Sequence, residues 1–158
     1  MIKIPSDIQS ASFHASLHQG TLFRMRGDEP FPSSRYHIFI VLNYDPNKDE
    51  ALILVNGTSQ VDKRLNFYNK YHPNLDPENT TVVLEAGKYP FFPEKTLVDC
   101  NLVKTCRINP EHFENGNLIM IDSSLSNDDM EHIINGVVCS HKVSQFIKSK
   151  INPQFGCY

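Results

Sequence analysis

Between residues 62 and 73 the chain sets cations among aromatic rings: Lys63, Arg64, Phe67, Tyr68, Lys70, Tyr71 and His72 stand against one acid, Asp62. That mixture suits an unpaired nucleic-acid strand, because charges follow phosphates while rings stack on bases at about 1–3 kcal/mol per base. It suits equally a loop whose rings pack inward and whose charges are solvated. Arg35 and His37 are two residues apart, on one side of any regular strand. A guanidinium offers a fixed fork of donors matched to phosphate oxygens. An imidazole, with an ordinary pKa of about 6.5, can exchange a proton near neutral pH. The plain alternatives are a strand-edge arginine holding a carboxylate and a histidine that packs. Glu29 is a candidate base or base-reading acceptor, and equally a solvated loop acid.

Metal chemistry has less to work with. His14 and His18 are four apart and would share one helix face, but Ala15, Ser16 and Leu17 lie between them with no glutamate. Cys100, Cys106, Cys139 and Cys157 make no C-x-x-C pair and have no histidine at zinc-finger spacing. Free thiols are expected, and neither a metal nor an organic cofactor.

Punctuation and hydrophobic pattern suggest the elements that position these residues. Ser6 to about His18 reads as a helix capped by Ser6 and stopped at Gly20. Thr21–Arg26 reads as a strand, 27–34 as a loop, and Arg35–Asn43 as a central strand apolar on both faces. After a turn at 44–49, Glu50–Val55 returns as a buried strand, completing a hairpin. The chain is polar, aromatic and proline-bearing from Gly57 to Asn79, so a long loop is expected near 60–79. Further strands are expected at Thr81–Glu85, Thr96–Cys100, Leu102–Thr105 and Leu118–Ile121. From 126 to 151 a C-terminal helix is predicted, with Met130, Ile133, Ile134, Val137 and Val138 at helical spacing.

At 158 residues, with 40% hydrophobic and 21% charged, the chain has a folding composition and the length of one domain. The expected layout is an N-terminal helical extension over 1–19, a β core over 20–125 and a helix over 126–151, an α+β antiparallel barrel or sandwich. Fifteen Lys and Arg against 18 Asp and Glu give a net charge of −3, which excludes a generic polyanion binder while allowing a local basic groove. The first residues show no basic segment followed by an apolar run, and no apolar run approaches bilayer-spanning length. A cytoplasmic protein is expected.

Taken in order, four pieces resemble the MazF/PemK/Kid family of toxins from bacterial toxin–antitoxin pairs. They are Gly20-Thr21-Leu22-Phe23; Asp28-Glu29 followed by Arg35 opening an apolar strand; Asn56-Gly57-Thr58-Ser59-Gln60 closing the next; and Leu97 to Thr105, where Lys104 precedes Thr105. The likeness spans roughly Gly20 to Cys139. It implies an SH3-like barrel with a C-terminal helix that forms a homodimer, cleaves single-stranded RNA without metal and is inhibited by an acidic antitoxin. In that scheme Arg35 and Thr58 are catalytic: the guanidinium stabilises charge on the reacting phosphate and the hydroxyl orients one of its oxygens. Glu29, Ser59, Gln60 and Lys104, with Lys63, Arg64 and Tyr68 of the cationic segment, form the RNA-binding set. Tyr36 stands where the family has proline, and the family has an aliphatic residue at the position of His37, which favours packing for that histidine. Two other functions stay open: a gyrase poison of the CcdB type, and a barrel that binds RNA or protein without catalysis.

Overall fold

The computed structural model describes residues 2–153, so Cys157, one of the four thiols, lies outside the described residues. Along the chain run helix α1 (Ser6–Ser16), strands β1 (Leu22–Gly27), β2 (Ser33–Val41) and β3 (Leu52–Thr58), helices α2 (Val61–Tyr71) and α3 (Pro77–Thr80), strands β4 (Thr81–Leu84), β5 (Thr96–Asp99), β6 (Lys104–Cys106) and β7 (Leu118–Ile121), and helices α4 (Asn127–Cys139) and α5 (Gln145–Ile151). The expected α+β chain with antiparallel pairing is what forms. None of the described helices is long and apolar enough to cross a membrane. Two compact units divide the chain: residues 1–54 with 104–124, and residues 55–103 with 125–158, so β3 contributes to each.

In the first unit the strand order is β6, β3, β2, β1, β7, with β6 and β7 as edges. Leu22 faces Ile40 of β2 on one side and Ile121 of β7 on the other. The core follows from alternation: Phe23 and Met25 of β1 and Phe39 and Val41 of β2 point inward with Leu52, Leu54 and Leu118. Phe13 of α1 closes it, edge-on to Phe23 at 5.4 Å. Each such side chain, fully buried, contributes about 1.5–3 kcal/mol. Ser6 does not cap α1. Pro5 occupies the cap position, and its carbonyl accepts from Ile8 N and Gln9 N.

In the second unit β4 pairs with β5, and β5 with the end of β3 through Gly57 and Thr58. A Cβ on Gly57 would come within 2.5 Å of Thr96 Cγ2, so this close approach needs glycine. Two expectations are corrected here. The segment expected as a loop near 60–79 is largely helical. Val61, Leu65 and Tyr68 recur at i, i+4 and i+7, with Val61 and Tyr68 buried. Asp62 and Lys70 suit the two ends of the helix dipole, and Pro73 falls beyond the last turn. Pro77 then opens α3. The single helix expected over 126–151 is two. Ser126 caps α4 as its sequence position suggests, accepting from Asp129 N at 3.1 Å. The chain breaks at Ser140, whose hydroxyl donates to Asn101 Oδ1 at 2.7 Å, and Ser144 starts α5 by accepting from Ile147 N. Neither unit's strand order closes on itself.

Candidate functional site

Helical spacing turns the cationic segment into a face. Lys63, Phe67, Lys70 and Tyr71 are exposed along α2, with Arg64 half-buried beside them. Phe67 is 42% exposed and Tyr71 59%, unusual exposure for such rings in one place. Their centroids lie 5.5 Å apart, and Lys70 Nζ sits 5.2 Å from the Tyr71 centroid. Gln60, Lys63, Arg64 and Phe67 line a small hollow of about 160 Å³. Arg64 is the hinge between surface and interior: its Nε lies 3.9 Å from the buried Asp99 carboxylate. Ser59 is exposed beside Gln60. Thr58 is half-buried, and its hydroxyl accepts from Gln60 N at 3.2 Å, closing the turn between β3 and α2.

Tyr68 departs from its expected place among the RNA-stacking rings. It is only 3% exposed, and its hydroxyl donates to Asp99 Oδ2 at 2.6 Å. Burial, then the bond to Asp99, pushes its pKa well above the usual tyrosine range. It belongs to the apolar, anchoring side of α2, out of phase with the exposed rings.

Within the first unit, Arg35 stands exposed on β2. Its backbone is tied to Ser33, whose hydroxyl accepts from Arg35 N at 3.1 Å. Among the described residues its guanidinium forms no ion pair or hydrogen bond, so it does not hold a carboxylate there. His37, on the same strand face, is half-buried. Its Nε2 lies 3.0 Å from Ser33 Oγ, and its ring meets Phe31 edge-on at 4.9 Å. Lys104 of β6 places Nζ 5.2 Å from the Phe31 centroid. Burial first, then the charge of Lys104, lowers the His37 pKa, so this imidazole is neutral at neutral pH. Tyr36 ties β2 to the segment before β7: its hydroxyl donates to Gly116 O, and Arg26 Cζ lies 4.5 Å over its ring.

Glu29 is exposed in the loop between β1 and β2, where it meets two residues the sequence does not single out together. Cys106 Sγ lies 3.7 Å from Glu29 Oε2, and His112 Nε2 lies 3.9 Å from Glu29 Oε1. Burial, and then Glu29, pushes the Cys106 thiol up to about 12. The only trace of this in sequence is a cysteine and a histidine separated by five residues; the distant glutamate is invisible without the fold. His14 and His18, by contrast, each face a backbone carbonyl, of Ile108 and Gln19 respectively, both at 2.9 Å.

The structure therefore brings Gln60, Lys63 and Arg64 together in the second unit, with Thr58 and Ser59 leading into them. Glu29, Arg35 and Lys104 belong to the first unit. The expected catalytic pair, Arg35 and Thr58, is divided between the units. No model of a known protein family matches the chain, and no curated protein matches it.

Proposed function

We propose that this protein binds single-stranded RNA on the exposed face of α2 and cleaves it without metal, as its resemblance to MazF/PemK/Kid toxins implies. The SH3-like barrel, the homodimer, the acidic antitoxin and the cytoplasmic setting belong to the same reading. The observation that carries it is the α2 surface, where two exposed rings and the cations Lys63, Arg64 and Lys70 lie on one helix. Such a surface tracks a phosphate backbone while stacking bases, and reconciles a net charge of −3 with a polyanionic substrate. The same resemblance assigns Arg35 to the charge on the reacting phosphate and Thr58 to one of its oxygens. Among the described residues the Arg35 guanidinium forms no ion pair, which leaves it available for that role. His37, held neutral, has the protonation state that a proton acceptor requires.

The test is incubation of the full chain with single-stranded RNAs in EDTA. Products ending in 2′,3′-cyclic phosphate are expected, and Arg35→Ala or Thr58→Ala should slow cutting at least about a hundredfold. A folded wild-type protein that leaves every RNA intact overturns the nuclease. RNA affinity unchanged in a Lys63→Gln, Phe67→Ala double variant removes the α2 surface from the reading.

A further inference from the structure

We propose that Glu29, Cys106 and His112 form a binding site for one divalent transition-metal ion of the zinc class. A carboxylate oxygen, a thiol sulfur and an imidazole nitrogen converge there, all within 4.8 Å of one another. Oε2 to Sγ is 3.7 Å, Oε1 to Nε2 is 3.9 Å and Sγ to Nε2 is 4.0 Å. Tetrahedral zinc, with bonds of about 2.3 Å to sulfur and 2.0–2.2 Å to nitrogen and oxygen, sets its ligand atoms about 3.4–3.6 Å apart. The contacts are split between the two carboxylate oxygens, Oε2 toward sulfur and Oε1 toward nitrogen, so rotation of the exposed Glu29 carboxylate with a closure of up to about 1 Å brings one oxygen, Sγ and Nε2 to that spacing. The mixed sulfur, nitrogen and oxygen set suits zinc, and cobalt(II) as its spectroscopic substitute, better than magnesium or calcium.

The scaffold holds two of the ligands and leaves the third on the solvent side. Cys106 is fixed by β6, opposite Leu52 of β3. His112 sits in the 3-10 turn Pro110–Gly116, anchored on either side by the buried Ile108 and Phe113. The Glu29 side chain is 59% exposed and the His112 side chain 12%, so an ion enters past Glu29 and keeps water as its fourth ligand.

Protons hold the cation's place in the metal-free protein. Asn109 N donates to His112 Nδ1 at 3.1 Å, which puts the ring proton on Nε2, facing Glu29 and Cys106. When the metal binds, the thiol proton leaves to solvent and Sγ joins the ion as thiolate. The Nε2 proton leaves to solvent and Nδ1 takes one up, giving up the bond from Asn109 N, so Nε2 joins from where it stands as a neutral donor. Nothing is oxidised or reduced. The inference does not rest on the RNA reading, whose reaction is run in EDTA.

Titration of the untagged, reduced full chain with cobalt(II), then zinc(II), tests it. One equivalent of cobalt should bind with a sulfur-to-cobalt charge-transfer band, which zinc abolishes by displacement. On binding, nitrogen NMR should show the His112 ring proton moving from Nε2 to Nδ1. Cys106→Ser should lose the band and weaken zinc binding at least tenfold. Should that variant fail to fold by circular dichroism, the exposed Glu29→Gln replaces it, with at least tenfold weaker zinc binding expected. Failure of the wild type to take up either ion, or binding without a sulfur band, overturns the site. So does binding unchanged in the folded variant.

Discussion

Two polar clusters, one in each unit, use similar residue types to opposite ends. In the second unit Asp99, 5% exposed, accepts from Tyr68 at 2.6 Å and from Asn101 N at 3.1 Å. Asn101 donates to Thr80 Oγ1 at 2.9 Å and accepts from Ser140 at 2.7 Å, and Thr80 passes its own proton to backbone carbonyls. These four hydrogen bonds are all at full bonding distance, with Arg64 further off, so the network fastens α2 and the end of α4 to the β5 turn. In the first unit Glu29, Cys106 and His112 approach only to 3.7–4.0 Å. A satisfied cluster is structural. Three potential ligands joined only by long, weak sulfur hydrogen bonds and a distant carboxylate–imidazole contact have room for something stronger than a proton.

The contrast breaks first at Asp99. Asp99→Ala leaves the buried Tyr68 hydroxyl and the Asn101 amide without an acceptor, and should cost about 2–4 kcal/mol. In the metal-free protein, Cys106→Ser loses only long, weak polar contacts but sets a hydroxyl in place of a core-packed thiol, and should cost less, about 1–2 kcal/mol. Urea unfolding of both variants checks the ordering; equal losses would mean that the two clusters do the same structural work.

Close packing under the second network gives the next largest effect. A Cβ on Gly136 of α4 would lie 2.7 Å from Cys100 Sγ and 3.2 Å from Cys100 Cβ. Cys100 is fully buried and has nowhere to retreat. Gly136→Ala should therefore destabilise by about 1–3 kcal/mol despite its better helix propensity, and a gain in thermal midpoint would contradict the packing.

The same unit carries a pH-dependent contribution at Asp129. Burial alone would raise its pKa, but bonds from Lys88, Tyr89 and Ser126 outweigh it and hold the carboxyl below its ordinary value of 3.8. Lys88 Nζ lies 2.8 Å from Oδ2. A carboxylate with a depressed folded pKa stabilises fully above its unfolded value, near pH 4, and loses that contribution as pH falls through the folded value. Asp129→Asn should be less stable by about 1–2 kcal/mol at pH 7, with the gap narrowing below about pH 3. Stability curves that stay parallel down to pH 2 would remove the ionised network from the account.

What is legible in sequence is mostly what alternation and capping encode. β2 and β3 are apolar runs flanked by turn residues, and Ser126 with Asp128 and Asp129 announces α4. Helix α2 is hidden because its buried stripe is only Val61, Leu65 and Tyr68, while six polar or charged neighbours make the average composition loop-like. Tyr68 and Phe67 are adjacent in sequence yet meet opposite fates, which depends on helical phase rather than residue type. The break at Ser140 depends on Asn101, 39 residues earlier, and the meeting of Glu29 with Cys106 spans 77 residues. Contacts of that separation follow from how strands pair and where loops and helix ends are then brought, and neither is written in local pattern.

The smallest expected effect on stability tests the functional half of the contrast. Lys63 and Phe67 are exposed on α2 and carry none of the Asp99 network, so Lys63→Gln and Phe67→Ala should each leave unfolding free energy within about 0.5 kcal/mol of wild type. On RNA the two should separate. Losing one phosphate-tracking cation reduces the slope of log affinity against log salt by about 0.7, whereas losing one stacking ring weakens binding by about 1–3 kcal/mol and leaves the slope intact. Affinity measured from low to moderate salt distinguishes them. If both variants shift affinity equally and neither changes the slope, α2 holds its rings and charges outward for some purpose other than a nucleic-acid strand.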